Sequence, residues 1–210
     1  FMLFAAPPVK DLDWSDKGVE GSYRFISRVW RFMQKNSSLY SEGLSPDGVK
    51  LDGELQKLRV DLHRSLKFVT HDVEERMQYN TAIARMMELT NALYAVPETL
   101  LESQDGRKVF SEVVEKFIPM MYPFVPHVAE ELWAGFGKKS MLAEVSWPEF
   151  SEDLTVRDEI EIVFQINGKI KAKCMVSSEI TQAEMEKMAM ENDKVVEAVS
   201  GKQIRKVIVV

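Results

Sequence analysis

Apolar positions recur every three or four residues through the longer, N-terminal part of the chain and every second residue near its end. Ile26, Val29, Trp30 and Met33 form one stripe, the spacing that keeps side chains on one face of an α-helix. Ser15 is a natural N-cap for that helix, with Trp14 and Val19 at the two positions of a hydrophobic staple. Leu55, Leu58, Leu62 and Leu66 line a second helix, with Lys57, Arg59, Asp61 and Arg64 on its other faces. Thr70 or Asp72 is placed to cap a third, in which the run 79–96, YNTAIARMMELTNALYAV, is apolar nearly all round. Such a helix belongs in the middle of a bundle, and its Asn80, Thr81 and Asn91 then need partners. The Met86 and Met87 pair reads as core filler.

Pro97 ends this helix, 102–106 reads as a polar turn, and a fourth helix spans 108–121. Pro123 should end or kink that helix, because proline lacks a donor and restricts the residue before it. Pro126 suits the first turn of a short helix carrying Val128, Ala129, Leu132 and Trp133 inward, with Gly135 and Gly137 stopping it. Four long helices and a short one imply an antiparallel bundle.

The period changes after Trp147-Pro148. Ile160, Ile162, Phe164 and Ile166 alternate with Glu161, Val163 and Gln165, and after Asn167-Gly168 the residues Ile170, Ala172, Cys174 and Val176 alternate with Lys169, Lys171, Lys173 and Met175. Two alternating runs joined by Asn-Gly predict a hairpin, apolar inside and cationic outside. Thr181 and Glu184 form a capping box for a helix that continues through Val199, Gly201 ends it, and 203–210 returns as a strand. The fold class expected is therefore multidomain: an all-α bundle over 1–150, then a small α+β (β-β-α-β) domain over 155–210. The acidic, proline-containing stretch 147–154 is expected to be the hinge.

Composition changes this picture little: 45% apolar and 29% charged residues describe a soluble chain, and a net charge of −6 excludes a uniformly basic nucleic-acid binder. Charge matters locally. Arg24, Arg28, Arg31 and Lys35 share one face of the first long helix. Such stripes are commonly solvated, but like charges at this spacing repel by roughly a few tenths of a kcal/mol per pair, which an anionic partner would relieve. A second row, Lys169, Lys171 and Lys173, could be joined by Lys202, Arg205 and Lys206 if the last strand pairs with the hairpin. Edge lysines also guard against strand-to-strand aggregation.

His127 and Glu131 lie one helical turn apart, but with His63 and His71 in another helix they fall short of the three or four ligands of a zinc site. A helical corner is the simpler reading. One cysteine, Cys174, permits no internal disulfide and points to a reducing, cytoplasmic setting. No apolar run reaches the length of a membrane span, and FMLFAAPP lacks the form of a signal peptide. An initial Phe1 without Met, and an end within a strand-like run at Val210, suggest a piece of a longer protein. There is no Gly-rich phosphate loop and no nucleophile with a base, so no catalytic residue is assigned.

FMLFAAPP with DLDWSDKGVEGSYRFISRVWR, then YNTAIARMMELTNAL, PHVAEELW, and FQINGKIKAK with IRKVIVV follow one another along essentially the whole chain. In that order they resemble the C-terminal part of the bacterial leucyl-tRNA synthetase family. PHVAEELW and NTAIA are shared with the valyl and isoleucyl relatives, whereas QINGKIKAK followed by IRKVIVV is sharper for the leucyl enzymes. Lys169, Lys171 and Lys173 stand where relatives mix Lys and Arg, and the chain stops before that family's last, PGKLVN-like strand. The resemblance implies a tRNA-binding bundle of the anticodon-binding type and a small C-terminal domain that grips the outer corner of tRNA. It also implies leucine tRNA and the rest of the synthetase chain as partners, with no DNA or membrane, and a monomeric parent. ATP and Mg belong to the parent's catalytic domain, so no cofactor is expected here. The other reading of the residues is a protein-interaction scaffold, which overall acidity favours.

The HIGH and KMSKS motifs of that family are absent from the 210 residues, and nothing in their place can stabilise a pentavalent phosphorus. Leucine-dependent pyrophosphate exchange by the purified chain is therefore expected to be undetectable.

Overall fold

The computed structural model describes residues 1–51, 53–155, 159–166, 169–177 and 180–200, which divide into two compact units, Phe1–Val156 and Arg157–Val210. In the first, α1 (Met2–Ala5) precedes α2 (Asp16–Lys35), α3 (Gly53–Glu74), α4 (Tyr79–Ala95), α5 (Glu98–Leu101), α6 (Gln104–Met121) and α7 (Pro126–Gly135). Ser15 caps α2 through its side chain, accepting from the Gly18 N–H, and Pro126 opens α7. Trp14 forms no buried staple. It is 71% exposed, donates to Asp16 and meets Phe1 edge-on.

Several boundaries differ from expectation. Thr70 and Asp72 cap nothing, because α3 runs unbroken to Glu74. The Thr70 hydroxyl is satisfied by the Leu66 carbonyl one turn back, and buried Asp72 accepts from Arg76 and Thr81 across the turn into α4. Of the polar stretch 102–106 only Glu102 and Ser103 form the turn, and 104–106 already belong to the first turn of α6. Ser103 caps it, and Gly106 is needed there because a Cβ would overlap the carbonyl oxygens of Leu100 and Leu101.

The central helix is α6, not α4. Val109, Phe110, Val113, Val114, Phe117, Ile118, Met120 and Met121 of α6 are all buried, and Pro119 sits within the helix. In contrast α4 exposes Arg85, Glu88, Asn91 and Tyr94. Of its polar residues, Thr81 bonds Asp72, Asn91 accepts from Arg28, and the Asn80 Oδ1 is buried without a partner.

Because α6 is buried on most sides, its one buried carboxylate must be neutralised by neighbours. Glu112 accepts from Arg59 Nε at 2.8 Å and Nη2 at 3.2 Å, and from His63 Nε2 at 3.0 Å, both on α3. Arg59 also pairs with Asp47 of the α2–α3 connection. Burial pushes Glu112 up, but the hydrogen bonds from His63 and Arg59 outweigh it and hold the carboxyl below its ordinary range. A second pin closes the α7 end. Lys138 lies over the Tyr40 and Trp133 rings, paired with Glu42 at 2.9 Å and Glu115 at 2.7 Å, and its proton is held more tightly than in an ordinary lysine.

In the second unit β1 (Glu159–Ile166) pairs antiparallel with β2 (Lys169–Ser177), followed by α8 (Gln182–Glu191) and α9 (Asp193–Val199). The Thr181 and Glu184 capping box forms as expected. The helix after it does not continue to Val199: it breaks at Asn192, whose side chain caps α9. The Asn167-Gly168 tip, Gly201 and the expected last strand lie outside the described residues.

Removing Glu112 leaves Arg59 buried without its main counter-charge. Glu112→Gln is expected to cost the helical unit roughly 3 to 5 kcal/mol in urea denaturation. Because the folded-state pKa of Glu112 is lowered, its contribution is complete above the ordinary carboxylate pKa. It is lost only as pH falls through the lower folded value, so the parent and Glu112→Gln should converge in stability only in strong acid.

Candidate nucleic-acid interface

The row on α2 divides into two pairs. Arg28 donates to Asn91 at 2.9 Å and stacks on Tyr94, whose hydroxyl donates to the Arg28 carbonyl, so Arg28 is occupied in joining α2 to α4. Lys35 pairs with Glu98 of α5 at 2.8 Å. Among the described residues Arg24 and Arg31 have only local partners, Glu20 one turn back on α2 and the Ser27 carbonyl of the same helix.

Those two arginines line a groove of about 440 Å³ between α2 and α7, together with Tyr23, Ile26, Ser27, Trp30 and Val128. Tyr23 is 70% exposed. An apolar floor with aromatic edges between two guanidinium groups can receive a planar, unstacked base while the cations meet phosphates. Sequence reasoning picked out the arginines and missed the floor. The signal was present: Tyr23, Ile26, Ser27 and Trp30 recur at helical spacing beside the cationic stripe.

On the hairpin the stem pairs Phe164 with Ala172, but the next pairs are Gln165 with Ile170 and Ile166 with Lys169. A two-residue tip demands that last pairing, and the stem's register is one residue out of step with it. Lys171 absorbs the difference as a bulge. Strict alternation, with Ile170 facing inward beside Ala172 and Cys174, therefore fails: Ile170 opposes Gln165 and is 59% exposed. Lys171 and Lys173 are exposed as expected, and Val176 is buried. The side chain of Lys169, and Lys202, Arg205 and Lys206 altogether, lie outside the described residues. His127 is exposed at the start of α7, and among the described residues no three metal-ligating side chains converge. No helix among them is long and apolar enough to cross a membrane.

The chain belongs to the family of the anticodon-binding domain of tRNA ligase, whose profile matches residues 56–187. More particularly, it is similar to leucine--tRNA ligases: 41% identical over 210 residues to that of a Geobacter species, and 42% over 214 to that of Desulfatibacillum aliphaticivorans. These matches cover 100% of this chain and 25% and 24% of the relatives, so the chain spans about a quarter of their length. A LeuRS of Agrobacterium radiobacter, solved as a ternary complex with tRNA and LeuAMS, superposes with a TM-score of 0.75 at 25% identity. That superposition covers 100% of this chain and 27% of the other.

The bulge has a direct test. Ile170→Thr is expected to change stability by no more than about 0.5 kcal/mol, as at an exposed site, whereas Val176→Ala should cost roughly 1 to 2 kcal/mol. Equal losses at the two positions in thermal denaturation would return Ile170 to the inner face.

Proposed function

We propose that this chain is the tRNA-docking portion of a leucine--tRNA ligase, the whole protein joining leucine to its tRNA with ATP. The observation that carries the proposal is the α2–α7 groove. Arg24 and Arg31, seven residues and so two helical turns or about 10 Å apart along α2, rim an aromatic-edged floor, a spacing that sets cations to either side of a base held between them. On this reading the chain binds and orients; the ligase's catalytic and editing groups, ATP and Mg are supplied by other parts of the protein, which works as a cytoplasmic monomer. Arg28 and Lys35 hold the helix that presents the groove. The hairpin is the second contact. Alternate strand residues stand roughly 6.5 to 7 Å apart, so Lys171 and Lys173, both exposed on β2, are spaced to follow a backbone, with Lys169 beyond the bulge and Lys202, Arg205 and Lys206 near the end of the sequence as further cations of the same contact.

Filter binding of leucine tRNA at about 50 and 200 mM salt separates docking from a scaffold without an RNA role. Arg24→Gln with Arg31→Gln should lower the salt slope by about 0.7 to 0.9 per cation that neutralises a phosphate. Tyr23→Ala should weaken binding by about 1 to 3 kcal/mol with the slope unchanged. Lys169→Ala, Lys171→Ala and Lys173→Ala together should lower the slope again. Affinity and slope that ignore all of these, in variants with the parent's circular dichroism, would favour the scaffold.

A further inference from the structure

The residues that close the helical unit, 145–155, lie along α3 and α6 as a strap. Trp147 Nε1 donates to Thr70 Oγ1 at 2.8 Å, Lys116 donates to the Glu149 carbonyl at 2.6 Å, and Lys67 pairs with Glu152 and stands over the Phe150 ring. One further contact reaches the core: the Ser151 N–H donates to Nδ1 of His63, a side chain only 3% exposed, at 2.9 Å.

That bond fixes the state of the ring. A backbone N–H can only donate, so Nδ1 holds a lone pair, the ring proton sits on Nε2, and Nε2–H donates to Glu112. A proton added at Nδ1 would face the Ser151 N–H, donor against donor, while the imidazolium would gain from Glu112 behind it. Protonation thus keeps the inner bond and breaks the outer one. We propose that His63 is the positioning residue of the strap: its neutral Nε2–H tautomer seats Ser151, and a proton on Nδ1 unseats the strap while leaving the Glu112 cluster in place.

The charged groups around the ring are consistent with this division. Glu112 of α6 accepts from it, Arg59 and Lys67 stand one turn to either side of it on α3, and the rest bond to neighbouring groups: Asp47 of the α2–α3 connection pairs with Arg59, Glu152 of the strap with Lys67, and Lys116 of α6 donates to the Glu149 carbonyl. Asp47, bonded by Ser45 and Arg59, and Glu152, bonded by Lys67, are held below the ordinary carboxylate range, as is Glu112. These three therefore stay ionised through the interval in which an imidazole changes charge. The strap ends where the helical unit ends, so His63 governs the point from which the chain leaves that unit. The inference does not depend on the tRNA reading.

The test uses the 210-residue chain. In the parent, ¹⁵N ring spectra at about pH 7.5 should show His63 protonated at Nε2 and bare at Nδ1. Exchange of the Ser151 amide, corrected for its intrinsic rate, should lose about tenfold in protection between a pH at which those spectra show the ring neutral and one at which they show it charged, the worth of one hydrogen bond. His63→Asn places a carbonyl oxygen at the Nδ1 position and cannot titrate, so Ser151 should stay protected at both values. His63→Gln reaches the Nε2 position but offers Ser151 no acceptor, and protection should be low at both. A parent ring protonated at Nδ1 near neutrality, a Ser151 protection indifferent to pH, or an undiminished pH response in His63→Asn would each overturn the proposal. Should either variant fail to fold, the two parent measurements decide it alone.

Discussion

A carboxylate inside a helix bundle is a demand on everything around it. Glu112 lies on α6, the most buried helix among the described residues, where an uncompensated charge would be intolerable. Arg59 and His63 come from one turn of α3, Asp47 from the connection before it, and Ser151 from the strap at the end of the unit. Four segments distant in sequence are thus held in register by one side chain. Such clusters add less net stability than their contacts suggest, because desolvation offsets them. What this one supplies is an arrangement: α3 can turn only one face to α6, and the irregular segments have one place to attach.

With α3 and α6 set, α2 is free to serve as a presenting surface. Its contacts to α4 and α5 use Arg28 and Lys35, the cations nearest those helices, and leave Arg24 and Arg31 beside the groove. A stripe that looks uniform in sequence is divided by its neighbours into an anchoring pair and a presenting pair. The same economy appears on the hairpin, where a bulge decides which residues accompany the lysines on the outer face.

Features closed within a few residues were legible in the sequence. Ser15, the Thr181 and Glu184 box, Pro126 and the two strands of the hairpin each fix a backbone choice by local sterics or a single hydrogen bond, and each stands where expected, apart from the face on which the bulge puts Ile170. Features settled by distant partners were not. Thr70 and Asp72 resemble caps until a partner lets each stay within a helix. The apolar look of 79–96 suggested centrality, yet burial fell to α6, whose glutamate had disguised it, because Arg59 and His63 stand 53 and 49 residues away. The cations of the groove and the α2 part of its floor could be read from spacing, but that they line a groove required knowing that α7 returns Val128 beside them.

The pin at the α7 end bears on chemistry as well as on packing. Acylating reagents attack the neutral amine, so a lysine's reactivity falls with every increase in its hold on the proton. Lys138, between two aromatic rings and two carboxylates and 12% exposed, holds its proton tightly and is nearly shut off from solvent. Among the amines of this chain it is a built-in blank: its labelling reports on the closure of the bundle, whereas the labelling of Lys171 or Lys173 reports on the surface.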